Sequence, residues 1–214
     1  MSSPLLFSAV FVSAAMLGLA HAEQRTLAVP TPVVKQATPQ RVRIPGTDYE
    51  LTFGTRQSPP SATLPSQALV KAIVTWLSVN FDLPRDYSYP AIKLEPAPKI
   101  ATFHHTGLLS DRPQDMAAVP PGQREVIAAY DPLANTIYLP QGWSGSTPAE
   151  LSVLVHEMVH HLQTSARLKY ECAQASEELA YTAQDKWLRL FGHDLATDFE
   201  IDGFTLIVST RCIY

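Results

Sequence analysis

Proline is missing from the C-terminal third of a chain otherwise rich in it: all 18 prolines lie at or before Pro148. Glycine is also absent between Ala149 and Phe191. Such a stretch excludes a succession of turns and predicts helices. Cysteine is nearly absent, with 2 in 214 residues. That rules out a disulfide-dense small scaffold and a four-Cys zinc site. Charged residues are only 17% and the net charge is −4. With no basic footprint, nucleic acid is not an expected partner. No G-x-S-x-G nucleophile motif and no glycine-rich phosphate loop occur. After the first 22 residues no apolar run is long enough to span a membrane.

What is present is a globular composition. Hydrophobic residues make up 46% and the mean hydropathy is −0.01, which excludes a largely disordered chain and suits one domain with a real core. Residues 1–22 carry an almost wholly apolar run, Leu5 to Ala20, ending in Ala20-His21-Ala22. The run is short for a spanning helix and ends in an A-x-A cleavage pattern. A secretory signal peptide cleaved after Ala22 is therefore expected, giving a periplasmic or secreted protein with no integral membrane segment. No Lys or Arg precedes the run, so the amino terminus alone supplies its positive charge; the alternative is an uncleaved anchor.

Residues 23–62 are rich in Pro and Thr and predict an extended N-terminal arm, in which only Tyr49 to Phe53 alternates like a strand. The remainder, 63–214, is expected to be the domain. Leu69, Val70, Ile73, Val74, Trp76, Leu77 and Phe81 recur at helical spacing, with Ser66 placed to cap and Pro84 beyond the end. Ile92–Glu95 and Lys99–Phe103 suggest short strands. Val126–Tyr130 and Thr136–Leu139, around Asp131–Asn135, suggest a hairpin with a five-residue loop.

Thr147-Pro148-Ala149-Glu150 has the form of a capping box with Pro at the first helical position. The helix it opens carries His156-Glu157-Met158-Val159-His160. Residues four apart share a helix face, so both imidazoles can reach one Zn²⁺. Glu157, beside that face, can reach a metal-bound water as general base. His161 is rotated off the ligand face and is expected on the helix surface. A catalytic zinc takes a third protein ligand. The next helix, from Ala173 to about Phe191, supplies Glu177 and Glu178. Glu178 shares a face with Thr182, Asp185 and Arg189, a solvent face. Glu177 shares one with Tyr181, Gln184 and Leu188 and is the preferred ligand.

These residues resemble the zincin metallopeptidases and, within them, the gluzincins, whose third ligand is a Glu. The resemblance covers about 150–191. Small exported bacterial zincin-like proteins of unassigned function carry a similar Glu-x-x-Ala-Tyr-x-x-Gln run, here Glu177 to Gln184. The resemblance implies a peptidase fold in which an edge strand, Val126–Tyr130 or Thr136–Leu139, pairs with an extended peptide or protein substrate. Where thermolysin-like gluzincins place an Asp one turn after the Glu ligand, this chain has Tyr181, whose phenol is a candidate partner for Glu177 or for a substrate oxyanion. No downstream motif marks a transition-state donor, although His193 and Tyr214 are available.

His104 and His105 are expected in a loop, and Trp76, Trp143 and Trp187 as packing anchors. Cys172 and Cys212 are expected to form a disulfide in an oxidising compartment. The expectation overall is an α+β fold: a short twisted sheet, a central H-E-x-x-H helix and a second helix bearing the third ligand. The expected function is that of an exported zinc metallopeptidase, with His156, His160 and Glu177 as ligands and Glu157 and Tyr181 in catalysis. The alternatives are a noncatalytic zinc-bearing binding or envelope protein and, more distantly, hydrolysis of a non-peptide amide such as a cell-wall crosslink.

Overall fold

The computed structural model describes residues 39–54, 62–85, 88–106 and 128–212. The signal-like segment, Val126, Ile127 and Tyr214 lie outside them. The fold is α+β. Its elements in chain order are β1 (Gln40–Arg43), β2 (Glu50–Phe53), α1 (Gln67–Phe81), β3 (Ala91–Glu95), α2 (Ala97–Thr106), β4 (Ala129–Asp131), β5 (Thr136–Pro140), α3 (Pro148–Ser165), α4 (Ala173–Arg189), α5 (Leu195–Phe199) and α6 (Gly203–Thr210).

β1 and β2 form an antiparallel pair inside the stretch expected to be an extended arm. In β2, Leu51 and Phe53 are buried while Glu50 and Thr52 are exposed, the period-2 pattern of a half-buried strand. With Ile44 they join the main core. The second sheet is mixed, in the order β3-β5-β4: β3 runs parallel to β5, and β4 runs antiparallel to it. β5 is therefore the middle strand, with Thr136 to Leu139 all buried. β4 is an edge among the described residues. Asp131 pairs with Thr136, so the connecting loop has four residues rather than five.

Lys99–Phe103, expected as a strand, belongs to α2. Pro96 and Pro98 do not break it: Pro98 stands in the first turn, where its fixed φ suits a helix and its missing N–H costs nothing. The Pro96 carbonyl accepts from the Lys99 and Ile100 N–H groups. His104 and His105 therefore sit on a helical backbone, not in a loop.

α1 begins as expected, with Ser66 accepting from the Leu69 N–H. Its buried face meets α4 through aromatic edges. The Trp76 and Trp187 rings are 5.2 Å apart and nearly perpendicular, and Phe191 continues the stack to Phe53 at 5.2 Å. Edge-to-face pairs of this kind add about 0.5–1.5 kcal/mol each beyond burial. All three tryptophans are buried, as packing anchors should be.

The start of α3 is fixed most firmly. Thr147 accepts from the Glu150 N–H, and the Glu150 carboxylate accepts from the Thr147 and Ser146 N–H groups. Trp143 Nε1 donates to the Glu150 carbonyl at 3.0 Å. Gly145 has φ +66, and a Cβ there would stand 2.8 Å from the Trp143 ring. Only glycine fits that turn without moving the indole. The cap thus sets where α3 enters the core and which of its residues face α4.

α4 has no side-chain cap at its first turn. Its N-cap residue, Cys172, is bonded instead to Cys212, beyond the end of α6. Among the described residues no helix is long and apolar enough to cross a membrane. Unreduced peptide mapping should find Cys172 joined to Cys212. For a closed loop of about 40 residues, reduction should lower stability by about 4 kcal/mol on chain-entropy reasoning. Two alkylatable thiols in the folded protein would contradict the pairing.

Candidate metal centre

α3 is buried nearly all round, from Leu151 to Gln163. It packs against the face of α4 that carries Ala180 and Ala183, both fully buried. Small side chains let the two backbones approach, which brings Glu177, one turn before Ala180, over the His156–His160 face. His156 Nε2 lies 3.2 Å from Glu177 Oε2. His160 Nε2 lies 3.2 Å from His156 Nε2 and 3.3 Å from Glu177 Oε1. Glu178 is exposed and stands on the side of α4 where Asp185 pairs with Arg189. Of the two carboxylates, the structure brings Glu177 to the histidines.

These separations bear on whether a metal ion fits. Donor atoms bound about 2.0–2.1 Å from a tetrahedral ion stand about 3.3 Å from one another. Two imidazole nitrogens and a carboxylate at 3.2–3.3 Å match that spacing. The donor set is also the right chemistry for a borderline divalent ion. Among the described residues this trio is the one group of His, Cys, Asp or Glu placed to hold a metal.

The electrostatics follow from the same contacts. Burial opposes charge on His160, but the hydrogen bond and charge of Glu177, with help from Glu157 and Gln163, hold its pKa up at about 9. Burial likewise works against ionised Glu177, yet the hydrogen bonds and charges of His156 and His160 pull its carboxyl far below the ordinary range. The two shifts are those of an ion pair between His160 and Glu177.

Glu157 is buried, and burial raises its pKa; Glu177 raises it further, while His156, His160 and the Tyr130 backbone N–H work the other way. That last hydrogen bond ties Glu157 to β4, the edge strand. Tyr181 places its ring edge-on against His156, with centroids 4.8 Å apart. His193 is held by Asp198 at 3.0 Å and forms no part of the trio.

Two results differ from the sequence expectation or extend it. His161 is not on the surface: it is 1% exposed, packs against Tyr130, and has Nδ1 3.3 Å from the Tyr130 hydroxyl. β4 covers α3 on that side through Tyr130, which the helix's own pattern does not reveal. Two glutamines also approach the histidines. Gln184 Oε1 lies 3.0 Å from His156 Nδ1, and Gln163 Oε1 lies 3.0 Å from His160 Nδ1. Gln184 stood in the run that carried the family resemblance; Gln163 had no signal of its own beyond its place one turn after His160.

No curated protein and no solved structure matches the chain. A family model described as a domain of unknown function (DUF6647) matches residues 62–214, a span that holds the whole site and both of its helices. The chain belongs to the DUF6647 family.

Proposed function

We propose that this protein is an exported, zinc-dependent metallopeptidase of the gluzincin-like type. The observation that carries the reading is the convergence of His156, His160 and Glu177 at 3.2–3.3 Å beside the buried carboxyl of Glu157. A purely structural zinc site has four protein ligands; three ligands beside a base suit hydrolysis better. α3 and α4 would be the two ligand-bearing helices of a zincin, and β4 its substrate-side edge.

Zinc, when bound, lowers the pKa of water and polarises a carbonyl. His156, His160 and Glu177 would hold it. Glu157 takes a proton from the attacking water and passes it to the leaving amine. Burial raises its pKa, the direction that favours accepting a proton. Among the described residues β4 is an edge strand, with which an extended peptide would pair so as to bring its carbonyl beside Glu157. Tyr181 packs its ring against His156 from one side. The Cys172–Cys212 disulfide and the signal-like first 22 residues support export.

Glu157→Gln should keep the fold and one equivalent of zinc but lose peptide hydrolysis by about 10²–10⁴-fold, because the amide cannot accept the water's proton. The assay is cleavage of a peptide library by the protein lacking residues 1–22, with and without chelator. Zinc uptake with no cleavage by wild type would favour the noncatalytic, zinc-bearing alternative.

Glu177→Ala should weaken zinc binding far more than Glu178→Ala, measured by competition with a chelating dye. The reverse ranking would contradict the ligand set.

Zinc must also displace the proton from His160. Below pH 9, the value to which Glu177 and its neighbours raise that group, zinc affinity should fall by about tenfold per pH unit. Affinity that does not change between pH 8 and 7 would contradict a proton held on His160 in the zinc-free site.

A further inference from the structure

The two glutamines are arranged reciprocally between the site helices. Gln163, on α3, faces His160 with Oε1 and donates from Nε2 to the Ser176 carbonyl of α4 at 2.9 Å. Gln184, on α4, faces His156 of α3 with Oε1 and donates from Nε2 to Ser152 Oγ at 3.2 Å. Each amide has its orientation fixed by the partner on its nitrogen. A carbonyl such as Ser176 can only accept, so the Gln163 nitrogen must be the atom facing it. Ser152 gives its single hydrogen to the Ala149 carbonyl at 2.7 Å. It therefore accepts from Gln184, and the Gln184 oxygen is left for the imidazole.

An amide oxygen accepts and never donates. The ring nitrogen facing it must carry the hydrogen, so both Nδ1 atoms are N–H donors. In a neutral imidazole that leaves the lone pair on Nε2. Both Nε2 atoms point at each other and at Glu177. We propose that Gln163 and Gln184 are positioning residues that lock His160 and His156 in the Nδ1–H tautomer and aim both Nε2 lone pairs at one cation. This deepens the metal-centre reading and rests on it. The device is built from neutral amides, so it orients the rings without adding negative charge to a site that already holds Glu177 and Glu157. Metal-ligating histidines depend on such partners, and removing one typically weakens metal binding about 10–100-fold.

Gln184 allows tautomer control to be separated from simple bridging of the helices. Gln184→Leu removes both functions. Gln184→Glu keeps an acceptor at His156 Nδ1 but loses the donor to Ser152. Zinc affinity of the ¹⁵N-labelled protein, together with histidine ¹H–¹⁵N correlations in its zinc-loaded form, reads both. Wild type should show the proton on Nδ1 of His156 and His160. Gln184→Leu should bind zinc about 10–100-fold more weakly, and Gln184→Glu should match or exceed wild type. Equal weakening in Leu and Glu would assign Gln184 to helix bridging alone and overturn the proposal, as would unchanged affinity in a folded Gln184→Leu protein. Should Gln184→Leu fail to fold, the wild-type spectrum and Gln184→Glu decide: a proton on Nε2, or a Glu variant weaker than wild type, overturns it. If wild type takes up no zinc, the metal reading fails separately. The tautomers are then read in the zinc-free protein at alkaline pH, with both imidazoles neutral.

Discussion

The close approach of α3 to α4 is the constraint on which the site depends. It holds two imidazole nitrogens and a carboxylate within 3.2–3.3 Å of one another. With both Nδ1 atoms hydrogen-bonded to amide oxygens, the facing Nε2 lone pairs and the Glu177 carboxylate repel unless a proton or metal lies among them. The rest of the fold keeps them together. Ala180 and Ala183 allow the helices to meet, and the aromatic stack from Trp76 through Trp187 to Phe53 anchors the C-terminal end of α4. The Glu150 cap and Gly145 set the start of α3, and the disulfide ties the start of α4 to the chain's C-terminal end.

The mixed sheet contributes position rather than ligands. β5 is buried and carries β4 along its flank, and β4 sends a backbone N–H to Glu157 and a tyrosine to His161. A change in the edge strand is thereby felt directly at the buried carboxyl. This makes β4 both the wall of the proposed site and the surface on which the proposed substrate would lie.

Much of this was legible because it is local. The capping box, the H-E-x-x-H spacing and the solvent face of α4 are all helical arithmetic, and they brought His156, His160 and Glu177 to one place on paper. The disulfide followed from there being two cysteines to pair. What could not be read depends on contacts between elements. His161 is buried by a strand about 30 residues earlier. Gln163 looks like any polar residue near a helix end until Ser176 is seen opposite. In the short hairpin, β2 shows its alternation between Tyr49 and Phe53, whereas its partner β1 (Gln40–Arg43) has no buried face of its own to mark it. Lys99–Phe103 reads as a strand only if Pro96 and Pro98 interrupt a helix, whereas Pro98 lies in the first turn of α2, where proline starts one.

The central claim is that this trio binds zinc and leaves room for water. Zinc-edge X-ray absorption on protein purified without added metal, with elemental analysis of the same sample, tests it most directly. The account predicts about one zinc per chain, with two imidazole nitrogens at about 2.0–2.1 Å and the remaining ligands oxygens at about 2.0–2.2 Å. Sulfur ligands, a six-oxygen shell, or protein that takes up no zinc even when it is supplied would contradict it.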